Sequence, residues 1–168
     1  MALRIESILI IGIGLVFALL LFQDKSGVDA IESNSSKEFS FNNFSLIEIT
    51  PKGVENRLSA KEAIKYTTHF ELQEINITYK NTQHLLATKA TYQDNFIYLD
   101  QSVLFKRDDG LEFKTEKLEY SIKSKKLYAD KSFYIDMNES HIAGENLQYD
   151  LDDKNISAQE IRAMIYLE

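Results

Sequence analysis

ATKATYQDNFIYLDQSVLF, residues 87–105, places apolar side chains at every second position in short runs, clearest at Ile97/Leu99 and Val103/Phe105. A period of two belongs to an extended strand with one buried face, and the aromatic and β-branched content fits it. The stretch returns twice. KTEKLEYSIKSKKLYADKSFYI (114–135) and AGENLQYDLDDKNISAQEIRAM (143–164) align beneath it, so that Tyr92, Tyr120 and Tyr149 fall 28 and 29 residues apart, each two after Ala90, Leu118 or Leu147. Leu99, Leu127 and Ile156 recur at the same spacings half a period later, and a weaker copy starts at Leu58-Ser59-Ala60-Lys61. A unit of this length, holding two short strands, cannot bury its own apolar face and must stack on its neighbours.

The alternation continues on both sides, at Phe39/Phe41, Phe44/Leu46, Phe70/Leu72, Ile75/Ile77/Tyr79, Leu111/Phe113, Phe133/Ile135/Met137 and Ile161/Ala163/Ile165. Arg107-Asp108-Asp109-Gly110 and the run Asp150 to Asn155 carry hairpin-turn chemistry. SAKEAIKY (59–66) suits either a short helix or a strand of the repeat. The expected fold is all-β: repeated antiparallel strand pairs in two facing sheets, an open jelly roll or flattened solenoid, over residues 39–168.

The chain has 168 residues, room for one ordinary domain, with 44% hydrophobic and 27% charged residues, one Pro and six Gly, which excludes a disordered or collagen-like chain. Without Cys and with three His it has no thiol nucleophile, disulfide or iron–sulfur site. A net charge of −7 with no run of Lys/Arg longer than two leaves no footprint for nucleic acid. His69, His84 and His141 stand apart without a helical metal pair, no carboxylate pair is marked as acid and base, and GxSxG, P-loop and GxGxxG motifs are absent. Neither a catalytic residue, a cofactor nor a metal is expected.

From Ser7 to Gln23 no residue is charged, and the fifteen positions Ile8 to Phe22 are all Ile, Leu, Val, Phe, Ala or Gly. As a helix this run would be roughly 25 Å long against a hydrocarbon core of about 30 Å, the short end of the transmembrane range. A cleaved signal peptide is the competing reading, but no small-x-small site comes directly after the run. The expected organisation is a cytoplasmic N-terminus (1–6), a transmembrane helix (7–23), a polar Ser- and acid-rich linker (24–38) and an exported domain (39–168), Arg4 favouring this orientation. Beyond the anchor remain 18 basic and 25 acidic residues, so the exported part carries the whole negative excess.

A stack of strand pairs leaves one edge open at each end. The last run, IRAMIYL (161–167), is rich in apolar residues and free of Pro, either a site for strand addition by another chain or an ordinary last strand. The domain also holds most of the ten Phe and nine Tyr, consistent with a closed core or with an apolar interior that accepts acyl chains. Asn-x-Ser/Thr triplets occur at Asn34, Asn43, Asn76, Asn138 and Asn155, and in all but Asn43 an acid stands two residues before the Asn. That longer pattern resembles the acceptor of bacterial N-glycosylation systems; a chain rich in Asn, acid and Ser also produces it by composition.

Anchor, Ser-rich linker and a repeated β domain ending on a free strand together resemble the LptC family, bitopic inner-membrane proteins of lipopolysaccharide export. The resemblance rests on ATKATYQDNFIYLDQSV, LEFKTEKLEYSIKSKKLYADKSF and IAGENLQYDLDDKNISAQEIRAMIY; the family's glycine before the Val is Asp100 here, and the approach to its late glycine, Gly144, is Asn138-Glu139-Ser140-His141. It implies a non-enzymatic conduit: lipopolysaccharide arrives from an inner-membrane ABC transporter of the LptBFG type and passes along a jelly-roll groove to a periplasmic bridge protein of the LptA type. The lipid-binding residues it implies are Phe70, Leu72, Ile77, Leu99, Phe105, Phe113, Leu118, Tyr120, Phe133, Ile135, Leu147 and Tyr149. For partners it implies Phe41, Phe44 and Leu46 at the N-terminal edge and Gly144, Ile161, Ala163, Ile165 and Tyr166 at the other. The rival readings are a bitopic envelope scaffold with a closed β domain, and a secreted adhesin or hydrolase.

Overall fold

The computed structural model describes residues 36–51 and 53–166, and the anchor expected at 7–23 lies outside them with nearly all of the linker. No helix among the described residues is long and apolar enough to cross a membrane. These residues form ten strands: β1 (Lys37–Thr50), β2 (Gly53–Tyr66), β3 (Phe70–Tyr79), β4 (Gln83–Gln93), β5 (Phe96–Arg107), β6 (Leu111–Ser121), β7 (Lys126–Ala129), β8 (Phe133–Met137), β9 (Ser140–Asp150) and β10 (Ile156–Met164). All pairings are antiparallel, in the order β1-β2-β3-β4-β5-β6-β7-β9-β10, with β8 joining β6 and β9 beyond the end of β7. Hairpins link consecutive strands except β7 and β8, which follow one another between β6 and β9, and the 59–66 segment is strand β2 rather than a helix: Ala60 and Ala63 turn inward and Leu58 pairs Leu46 and Ile77.

The alternating runs are fewer strands than their number suggests. Phe70/Leu72 and Ile75/Ile77/Tyr79 are two halves of β3, and Ile97/Leu99 and Val103/Phe105 two halves of β5. Between the halves the inward phase slips, because one or two extra residues stand outward at Gln73-Glu74 or Asp100-Gln101-Ser102. At these slips the backbone turns left-handed: Asn43, Glu74, Gln101, Ser102, Asn146 and Glu160 have φ between 50° and 62°. At Asp100–Ser102 the register with β4 and β6 shifts as in a β-bulge, whereas at Glu74 the register with β2 and β4 is unbroken and the strands bend together; in both cases the two halves keep an apolar face inward.

Cross-strand register brings the slips together in one crease. Asn43 falls beside Lys61, Lys61 beside Glu74, and the line runs on through Gln101 and Glu116 to Asn146. Outward pairs mark it, Lys61 with Glu74 at 2.5 Å, Lys131 with Glu116 at 3.1 Å and Asn146 Nδ2 donating to Gln159 Oε1 at 3.0 Å. The two layers expected from short strand pairs are therefore a single sheet bent along this crease, and its inward side chains form one core from Leu58 to Leu151. Asp94-Asn95, with φ of 51° and 65°, closes the two-residue β4–β5 hairpin as a primed turn requires.

Candidate functional site: an inner apolar track between two open edges

Residues directly opposite on neighbouring antiparallel strands point to the same face. One inward row can be traced from the first strand to the last: Leu46, Leu58, Ile77, Leu85, Phe105, Phe113, Ile135, Ile142 and Ala163. Its exposure is graded. Leu58, Ile77, Leu85 and Phe105 are buried at 1–6%. Phe113, Ile135 and Ile142 are half-buried, and Ala163 is exposed. The row thus starts half-buried at Leu46 on edge strand β1, is closed from Leu58 to Phe105, and surfaces at the last strand. Ile142 belongs to it although the repeat, which starts at Ala143, passes over it; its pairing with both Ile135 and Ala163 identifies it.

On the other side of the crease a second row, Phe70, Tyr92, Ile97, Tyr120, Leu127, Tyr149 and Ile156, contains the three repeat tyrosines. Tyr120 and Tyr149 are buried, and burial pushes the Tyr120 hydroxyl above its ordinary pKa, Asp152 adding to the effect. Between the rows Leu72, Leu99 and Leu118 are buried, and Leu147 is half-buried. The wall formed by Phe70, Leu72, Ile77, Tyr92 and Leu99 encloses a void of about 10 Å³, space for one water at most. Of the inward residues expected to touch lipid, Phe113, Ile135 and Leu147 are therefore accessible in this form, and the remainder are packed.

Phe133 is packed on β8 between β6 and β9. It is 1% exposed and stacks on Phe113 with centroids 6.3 Å apart. Its ring lies over Gly144, where an added Cβ would meet the ring at 2.8 Å and the Gln159 carbonyl at 3.1 Å. Gly144 is thus a place of close approach between β8, β9 and β10, its side-chain space taken by Phe133.

Both edges of the sheet are strands with one neighbour. β1 carries Phe39, Phe41 and Phe44 in a run of tilted rings 5.3 and 6.5 Å apart, with Phe41 53% exposed. β10 pairs with β9 alone; it begins at Ile156 and ends at Met164, so Ile165 and Tyr166 lie just past it, the Tyr166 N–H donating to Ser140 Oγ at 3.1 Å. Ile161, Ile165 and Tyr166 are 53–60% exposed. β10 both pairs internally and offers an open edge.

The polar groups are organised as surface ladders. Lys106, Glu112, Lys114, Asp136 and His141 link β5, β6, β8 and β9 through contacts of 2.6–3.1 Å. A hydrogen bond from His141, then one from Lys114, holds the Asp136 carboxyl below its usual range. His84 faces Thr78 and Asp108, and His69 stacks on Tyr66 at 4.4 Å near Glu71. Among the described residues no group of three or more His, Asp or Glu is placed to hold a metal ion.

Comparison with known proteins agrees with this geometry. No curated protein matches the chain in sequence. In fold it is similar to LptH, the LptA-homologous periplasmic component of the lipopolysaccharide transport device of Pseudomonas aeruginosa, with a TM-score of 0.52 and 12% identity over 67% of this chain and 95% of that one. A family model described as lipopolysaccharide-assembly, LptC-related matches residues 7–162, from the apolar N-terminal run into β10. With the match spanning nearly the whole sequence, the chain belongs to the LptC family of lipopolysaccharide-assembly proteins.

Proposed function

We propose that the chain is a non-enzymatic lipopolysaccharide transfer protein, held in the inner membrane by residues 7–23 with residues 1–6 cytoplasmic and the β domain periplasmic. Family membership supports a role in lipopolysaccharide transport. The finer reading is that β1 adjoins an ABC transporter of the LptBFG type, that acyl chains travel along the inner face, and that β10 adds to a strand of an LptA-type bridge protein. One observation carries it: the inward apolar row that is closed at Ile77 and Leu85, accessible at Phe113 and Ile135, and exposed at Ala163 on an unpaired edge. A second strand added there would extend the row across the joint, and extended-strand pairing supplies the adhesion through backbone hydrogen bonds.

Site-specific photo-crosslinking in living cells tests it. A photoreactive aromatic residue at Phe113 is expected to label lipopolysaccharide, and one at neighbouring Lys114, which faces outward to Glu112 and Asp136, is not. Equal labelling, or none at either position, removes the track. The closed void beside Leu72 and Leu99 favours a second reading, a bitopic scaffold that docks partners with a packed interior; absence of lipid at Phe113 together with capture of partners is its signature.

A further inference from the structure

Three of the acid-preceded Asn-x-Ser/Thr triplets fall within the described residues, and the fold treats them differently. Asn76 lies inside β3 between Ile75 and Ile77, 3% and 1% exposed, with strands paired on both sides. Its preceding acid, Glu74, is paired with Lys61. Asn138 is at a hairpin tip, but its acid, Asp136, is held by Lys114 and His141, and its hydroxyl residue, Ser140, accepts the Tyr166 N–H. Asn155 differs in its surroundings, although Ile156 and Ser157 pair with Tyr149 and Gln148 of β9. It stands outside any strand in the β9–β10 turn, and all five residues from Asp153 to Ser157 are exposed.

The turn is built so that other groups carry its structure. Asp150 accepts the backbone N–H groups of Asp152 and Asp153 at 3.0 and 3.1 Å and pairs with Lys126, while Asp152 pairs with Lys125. Lys154, with φ of 56°, turns the chain so that the Asn155 carbonyl accepts the Asp150 N–H at 2.9 Å. Asp153 closes no ion pair among the described residues. Ile156 and Ser157 then open β10, which has one neighbour and can leave the sheet by breaking a single set of ladder bonds.

We propose that Asn155 is an N-glycosylation acceptor, taken by the class of bacterial oligosaccharyltransferase that reads a carboxylate two residues before the asparagine, here Asp153, with Ser157 as the hydroxyl residue. The donor is an oligosaccharide on polyprenyl pyrophosphate. In the transfer the Asn155 Nδ2 forms a bond to the anomeric carbon of the first sugar, and the bond from that carbon to the pyrophosphate oxygen breaks. The pyrophosphate leaves with the bonding pair, and the amide nitrogen releases one proton, so no oxidant or reductant enters. An enzyme that binds its acceptor as an extended, solvent-facing peptide reaches 153–157 without disturbing the core, whereas at Asn76 it would have to pull two core isoleucines out of the sheet.

The test uses the purified full chain in detergent with such an enzyme and its polyprenyl-pyrophosphate oligosaccharide, read by intact mass and by mass mapping of peptides. The expected result is one oligosaccharide on the peptide containing Asn155, lost in Asn155→Gln and in Ser157→Ala, restored in Ser157→Thr, and unchanged in Asn76→Gln. Asp153→Ala should lose it too. A chain that stays unmodified while a control acceptor peptide in the same tube is glycosylated overturns the proposal. So does a glycan mapped only to Asn34, Asn76 or Asn138, with none on the peptide containing Asn155. The Ser157→Thr variant guards against loss through misfolding, since it keeps the hydroxyl and the turn.

Discussion

Leu99 and Leu127 are 1% and 5% exposed, whereas Ile156, which holds the same place in the third repeat, is 64% exposed. The three units share a sequence pattern and a hairpin form, and they differ in their neighbours. β5 and β7 each have a strand on both sides, while β10 has, among the described residues, β9 on one side and no strand on the other. Burial in a stacked repeat is supplied by the next unit, so an identical apolar position is core in the middle and surface at the end. Proteins usually guard such an edge with proline, short length or charge. Here inward Ile161 and Ala163 remain open, and the one basic residue between them, Arg162, faces the other side.

Truncation breaks this comparison most directly. Leu99→Ala and Leu127→Ala should each cost about 2–5 kcal/mol, the range for buried leucines that leave cavities, while Ile156→Ala should stay within roughly 0.5 kcal/mol as a surface change. Denaturant unfolding of the three variants measures it, and a comparable loss at Ile156 would mean that the third repeat is covered after all.

Gly144→Ala should cost about 1–3 kcal/mol, since its methyl group would meet the Phe133 ring at 2.8 Å and the Gln159 carbonyl at 3.1 Å. Phe133→Leu in the same chain should recover part of that loss if the ring is the obstacle; a simple sum of the two single costs would shift the blame to the β10 backbone.

Ala163→Pro sharpens the functional side of the comparison. Proline removes one N–H and disturbs the ladder of β10, yet a strand with one neighbour transmits little to the stack, so the stability of the core should change by about 1 kcal/mol or less in thermal unfolding. Capture of the LptA-type bridge protein should nevertheless be lost, while Ala163→Gly, which keeps the donor, retains it. A proline variant that still captures the bridge at the parent level would end the strand-addition reading.

The smallest effect is electrostatic. Hydrogen bonds from His141 and Lys114 depress the Asp136 carboxyl, so its contribution to stability is present above the unfolded carboxyl's pKa and is lost as pH falls through the folded one. The pairs are solvent-accessible and worth about 1 kcal/mol or less, so the acid shift in melting temperature should be slightly smaller in Asp136→Asn.

Much of this architecture was legible in residue order. Period-two runs of Phe, Tyr and Ile specify strands, the 28- and 29-residue spacing specifies hairpins that must stack, and Arg107-Asp108-Asp109-Gly110 specifies a turn. Asp94-Asn95 is likewise a pair tolerant of positive φ, but the pairing of Gln93 with Phe96 is what shows that it closes a hairpin. The crease was not legible. A three-residue step such as Leu72 to Ile75 looks the same whether a loop ends one strand there or a left-handed residue bends a single strand, and only pairing to Ala90 and Ala87 on one β4 separates the two. The segment 59–66 misleads for a related reason: its place on the crease spaces the inward Ala60 and Ala63 three apart, as a helix would.

By itself, then, the sequence determines which side chains alternate and where the chain reverses, because φ/ψ preferences and side-chain period act within a few residues. Tertiary structure alone decides which of the alternating residues is buried. Residue type does not decide it: Ile77 at 1% and Ile156 at 64% are the same side chain in the same kind of strand. What separates them is whether another strand lies beyond, and water is excluded from an apolar face by neighbours brought from elsewhere in the chain.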